Sequence, residues 1–153
     1  MAIMAFDPST VCTGWGYLKD EFTLLAYGEI KPKSKDVDER FKEQYESLKI
    51  LLDEYKIDKV ICEDQYQGSN AATSKKLIRV STMMEVLCME RGIPFEYRMP
   101  SAWRKRLHGK GSTDKVLTWN YVTEKFDLKL RKGQTDITDA IGIGLSEFAG
   151  KGV

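Results

Sequence analysis

The sequence has no Cys-x-x-Cys pair, one histidine and three scattered cysteines. A disulfide framework and a structural zinc site are therefore both excluded as expectations. Cys62 and Cys88 sit in apolar runs and read as small core residues. No apolar stretch is long enough to span a bilayer. The opening "MAIMAFDPST" has neither the basic start nor the long apolar middle of a secretory leader, so a protein of the cytosol, without membrane attachment, is expected. Charge of one sign is also missing. Lys and Arg number 24 against 23 Asp and Glu, so the net charge of +1 names no partner.

What the total hides, the distribution reveals. "RMPSAWRKRLHGKG" (98–111) carries Arg98, Arg104, Lys105, Arg106 and Lys110 and no acid. "SKKLIR" (74–79) and "KLRKG" (129–133) are basic too. Segregated basic segments on a neutral chain fit a polyanion on one face. The 153 residues suffice for one domain with a real core, spanning 1–153.

Three apolar runs open the chain: "MAIMAFD", then roughly 14–20, with Gly14 and Gly16 suggesting a turn into that strand, then 22–30 after a tight hairpin at Asp20-Glu21. Apolar residues at Val37, Phe41, Tyr45, Leu48, Leu51, Leu52 and Tyr55 recur every three or four positions and predict a helix over 36–55. "DKVICED" (58–64) is a buried strand. A helix over 71–91 follows, with Asn70 as its cap and Gly92 as its stop. A strand at 93–99, a short helix at "PSAWRKRL", a helix over 113–126 capped by Ser112 or Thr113, and a last helix over 136–148 complete the order. Strands joined first by hairpins and later through helices make an α/β domain with a mixed sheet, its first three strands antiparallel.

Acids mark the ends of these elements. Asp7 and Glu63 close two apolar strands, and ligands gather beyond the carboxyl ends of strands in α/β sheets. Asp136 and Asp139 lie three apart, on one face of the last helix. Asp136 alone reads as an N-terminal cap and Asp7 alone as a turn former. Together the four make a carboxylate cluster, which repels itself unless cations intervene. All-oxygen ligands suit Mg²⁺ or Mn²⁺. Lys115, in the first turn after "GKGS", and Lys110, in the Gly-rich loop, could each meet a phosphate. Arg104 and Lys105 could do the same from the helix before. "GKGST" lacks the GxxxxGK[ST] spacing, so no nucleotide cofactor is expected. Tyr66, three residues past Glu63, could stack on an unpaired base.

"MAFDPSTVCTGWGYL", "VICEDQYQGSNAATSKKL", "MPSAWRKRLHGKGSTDKVLTWNYV" and "TDITDAIGIGL" resemble, in order, the four blocks of RuvC-type Holliday-junction resolvases. Ser9 stands where that family usually has Gly, and the chain is short, as in bacteriophage members. The resemblance implies a ribonuclease-H-like fold, with a central five-stranded mixed sheet flanked by helices. It implies a homodimer that nicks two opposing strands of a four-way junction, and of other branched DNA, with Mg²⁺ or Mn²⁺. The implied metal ligands are Asp7, Glu63, Asp136 and Asp139, with Lys115 as catalytic partner. The wide apolar surface of the helix over 71–91, with Leu77, Val80, Met84 and Leu87 flanked by Ile78 and Met83, reads as either deeply buried or half of a subunit interface, with the interface favoured. The competing readings are a ribonuclease-H-like nuclease acting on RNA or an RNA–DNA hybrid, a sugar-kinase-like ATP binder, for which the chain is too short, and a catalytically weak junction-binding dimer.

Overall fold

The computed structural model describes residues 1–64 and 71–149. Ten elements follow one another: β1 (Ile3–Asp7), β2 (Thr13–Asp20), β3 (Thr23–Ile30), α1 (Val37–Glu54), β4 (Lys59–Glu63), α2 (Ala71–Glu90), β5 (Phe95–Arg98), α3 (Pro100–His108), α4 (Lys115–Phe126) and α5 (Thr135–Phe148). The sheet runs β3-β2-β1-β4-β5. β1 pairs antiparallel with β2 and parallel with β4, β2 antiparallel with β3, and β4 parallel with β5. This is the mixed sheet expected from the order of hairpins and crossovers, in the ribonuclease-H-like arrangement that the resemblance implies. No helix among the described residues is long and apolar enough to cross a membrane.

The central strand sorts its side chains by period two. Met4 and Phe6 enter one core, with Leu48, Leu51 and Leu52 of α1 and Val80, Met84 and Leu87 of α2. Ile3 and Ala5 enter the opposite core, with Ile61, Trp103 and Ile143. Continued by one step, that alternation puts Asp7 on the side of Ile3 and Ala5, and Glu63 on the side of Ile61. Both acids therefore emerge on the face that α5 covers.

Some local expectations needed correction. α4 is capped by Asp114, whose carboxylate accepts from the Leu117 N–H at 3.0 Å, and not by Ser112 or Thr113. α5 begins at Thr135 with Gln134 at the cap position, so Asp136 sits inside the first turn and is not the cap. Gly92, with φ of 66°, ends α2 as expected. The Asn70 cap lies outside the described residues. The three cysteines are buried and free.

Gly14 and Gly16 do not make a turn. They lie within β2, opposite Asp7 and Ala5 of β1. Their reason is the close approach of α5. A Cβ at Gly14 would stand 2.0 Å from the Asp136 carbonyl oxygen, and one at Gly16 would stand 2.9 Å from the Ile141 side chain. The missing methyls let the helix start against the sheet.

A buried ionic network ties the far end of α5 to the sheet edge. Arg98 donates to Glu96 at 2.7 Å, to Ser146 at 2.8 Å and to Glu147 at 2.8 Å. Lys59 bridges Glu96 and Glu147, both at 2.8 Å. Every buried charge there has an opposite neighbour, the condition under which buried ions are tolerated.

Gly14→Ala is expected to lower stability by about 3 kcal/mol, the upper part of the usual cost of overpacking. Urea unfolding checks it: an unchanged midpoint would mean that α5 does not need the space.

Candidate metal and nucleic-acid site

The turn after Asp7 is built by local polar bonds. The Val11 and Cys12 N–H groups both donate to the Ser9 hydroxyl at 3.1 Å. Gln44 of α1, fully buried, donates to the Ser9 carbonyl at 2.6 Å and accepts from the Thr13 hydroxyl at 2.6 Å. The helix thus grips both ends of the segment that follows Asp7. A glutamine on the apolar stripe of α1, three residues after Phe41 and four before Leu48, was the signal of this role, and residue-type reasoning passed over it.

Asp7, Glu63 and Asp139 are all buried, while Asp136 is half-buried. Burial pushes the Asp7 carboxyl well above the usual range, and the charges of Glu63, Asp139 and Asp136 push it further; Lys115 opposes them. Asp139 is driven up to about 6, chiefly by burial and also by Glu63, against the pull of Lys115 and Arg104. The four acids predicted from two strand ends and one helix face therefore act on a single centre. Among the described residues no three His, Cys, Asp or Glu side chains are drawn close enough to form a ready-made metal site. Mutual repulsion is reason enough for like charges to keep apart.

The residues nevertheless fit a hard cation. Asp139 Oδ1 is buried and has no hydrogen-bond partner among the described residues. A buried carboxylate oxygen left in that state is costly, and a cation would satisfy it. All four side chains are oxygen donors, the set suited to Mg²⁺, Mn²⁺ or Ca²⁺ and not to zinc.

Lys115 opens α4 and reaches Asp139 Oδ2 at 3.5 Å. Burial alone would lower its ammonium, but Asp139, Asp7 and Asp136 raise it, so it is firmly charged. Arg104 stands over the Trp103 ring, 5.1 Å from its centroid, and its charge reaches Asp139. Lys105 and Lys110 are exposed, on α3 and in the loop after it, and neither is among the main charges acting on Asp7 or Asp139. Tyr66 lies outside the described residues. His108 bonds Thr118 at 2.9 Å and meets Tyr121 edge-on, so it joins α3 to α4. Beside Asp136, burial and the neighbouring Glu29, which accepts from its thiol at 3.3 Å, push Cys12 up to about 12. Trp103 of α3 donates its indole N–H to Glu63 Oε2 at 2.6 Å, a contact that residue-type reasoning missed.

Comparison with known proteins agrees with this geometry. The family model described as "Crossover junction endodeoxyribonuclease RuvC" matches residues 3–147. The protein of that name from Nitratidesulfovibrio vulgaris is 31% identical over 75% of this chain and 71% of its own length. Its counterpart in Chlorobium phaeovibrioides is 30% identical over 97% and 81%. Among solved structures, Thermus thermophilus RuvC in complex with Holliday junction substrate superposes with a TM-score of 0.82 at 20% identity, covering 95% of this chain and 92% of that one. The yeast mitochondrial Holliday junction resolvase Ydc2 follows with a TM-score of 0.64 at 10% identity, covering 95% and 76%. Strand order and a match over nearly the whole length point one way: the chain belongs to the RuvC family of crossover junction endodeoxyribonucleases.

Proposed function

We propose that this chain resolves four-way DNA junctions, and other branched DNA, as a divalent-cation-dependent endonuclease making paired nicks. The observation that carries the reading is the buried Asp7 under the combined charge of Glu63, Asp136 and Asp139. It is supported by the family match and by the junction substrate named for the Thermus thermophilus relative. Mg²⁺ is the proposed ion, with Mn²⁺ as substitute.

Asp7, Glu63, Asp136 and Asp139 would hold it. When bound, a divalent ion lowers the pKa of water for attack on a phosphodiester and stabilises the departing oxygen. Lys115, charged and half-exposed beside Asp139, would neutralise a non-bridging oxygen of the scissile phosphate. Arg104, resting on the Trp103 ring, would hold a neighbouring phosphate, and exposed Lys105 and Lys110 would extend the track along the backbone. Tyr66 would stack on a base at the open centre of the junction.

A four-way junction presents two equivalent strands, and one acid cluster serves one of them. A two-fold homodimer supplies the second. The stripe expected at the interface is core instead, with Val80, Met83, Met84 and Leu87 buried, but Ile78, Val86 and Met89 stay exposed, the last at 71%, and leave α2 an apolar face for a second copy. Together with Phe41 and Tyr45 of α1, Ile78 and Val86 line an open groove of about 460 Å³.

Asp7→Asn should abolish cleavage of a four-way junction with Mg²⁺ while leaving gel-shift binding within about threefold; cutting at the wild-type rate refutes the ligand role. A panel of four-way junction, fork, duplex and RNA–DNA hybrid separates the junction reading from a ribonuclease one. Raising salt should weaken binding steeply, because each phosphate contact releases counterions, and a flat response would remove the basic track. Asp139 titrates near 6 in the folded chain against an ordinary 3.8. The folded state therefore binds this proton more tightly than the unfolded one. Its contribution is complete below about pH 4 and is lost as pH rises through 6, on the order of 2–3 kcal/mol. In EDTA at pH 7.5, Asp139→Asn should melt higher than wild type. A lower melting temperature would contradict the electrostatic account.

A further inference from the structure

We propose that Trp103 is a positioning residue for Glu63, fixing the carboxylate that the cation meets; this rests on reading Glu63 as a metal ligand. Trp103 is fully buried, packed with Ile3, Ala5, Ile61 and Ile143. α5 leaves room for its ring at Gly142, where an added Cβ would come within 3.0 Å of the six-membered edge. The ring therefore has one orientation. Its single polar atom, an indole N–H that can only donate, ends 2.6 Å from Glu63 Oε2.

Two physical consequences follow. The contact is short for N–H···O and gives Oε2 a fixed donor, which sets the direction in which the carboxylate faces. It also transfers the rigidity of the core to a side chain with several rotatable bonds, so that Glu63 is held before any ligand arrives. A residue chosen only to fill this space would be Phe or Leu, because a buried indole without an acceptor is costly. Loss of such an outer partner typically weakens metal affinity by about 10- to 100-fold. Trp103 also lies beneath the Arg104 guanidinium, so the ring joins the proposed phosphate track to the ligand set.

The test measures Mn²⁺ binding, from the electron-paramagnetic signal of free Mn²⁺, for wild type, Trp103→Phe and Glu63→Gln. Trp103→Phe keeps an aromatic ring and removes the donor. It is expected to weaken Mn²⁺ binding about 10-fold or more. Wild-type affinity in Glu63→Gln would remove the ligand reading and the proposal with it. Weakened Glu63→Gln beside wild-type affinity in Trp103→Phe would overturn the Trp103 proposal alone. A second measurement needs no change in the core. In ¹⁵N-labelled wild type, the Trp103 indole N–H resonance should shift on adding Mg²⁺, and the shift should vanish in Glu63→Gln. An indole signal unmoved by saturating Mg²⁺ in a protein that binds the ion would overturn the proposal.

Discussion

The constraint that organises this molecule is the concentration of negative charge at the carboxyl end of its central strand. Burial and three acidic neighbours raise Asp7 far above its usual range, and Asp139 follows to about 6. No fold gains stability from such an arrangement. Specific contacts among the described residues offset part of its cost. Lys115 approaches Asp139, Arg104 adds a more distant positive charge, and the Trp103 indole donates to Glu63. They do not satisfy Asp139 Oδ1. The surrounding hydrophobic layers hold the acids together against their repulsion, so the cluster costs stability that the two cores supply.

Contrast the other end of α5. Lys59, Glu96, Arg98 and Glu147 also bury charge, but with both signs interleaved at hydrogen-bonding distance. That network has no charge left over and needs no ligand. The two ends of α5 therefore serve different purposes. Its C-terminal turn is anchored electrostatically to β4 and β5, and its N-terminal turn presents Asp136 and Asp139 to the strand ends.

The architecture was legible because its signals are local. The apolar runs ending at Asp7 and Glu63 marked the parallel pair, and the three- and four-residue spacing in 37–55 marked α1. Asp136 and Asp139 were legible as a pair because a helix puts positions three apart on one face. The cap of α4 was misread because Ser112, Thr113 and Asp114 are all capping residues, and only the path of the preceding loop chooses among them. The glycines of β2 were misread as a turn because their reason lies more than a hundred residues away, at Asp136 and Ile141. Trp103 and Glu63 are 40 residues apart, and no periodicity within either segment announces that contact.

The absence of a side chain at Gly14 reaches beyond packing. Asp7 and Glu63 travel with the sheet, whereas Asp136 and Asp139 travel with α5, so the gap between the two pairs is the gap between helix and sheet. That gap is closed down to the point where one methyl would collide with the Asp136 carbonyl. A single hydrogen atom on β2 thus acts as the spacer that sets how far the strand-end pair of acids stands from the helix pair, from a residue that carries no carboxylate itself.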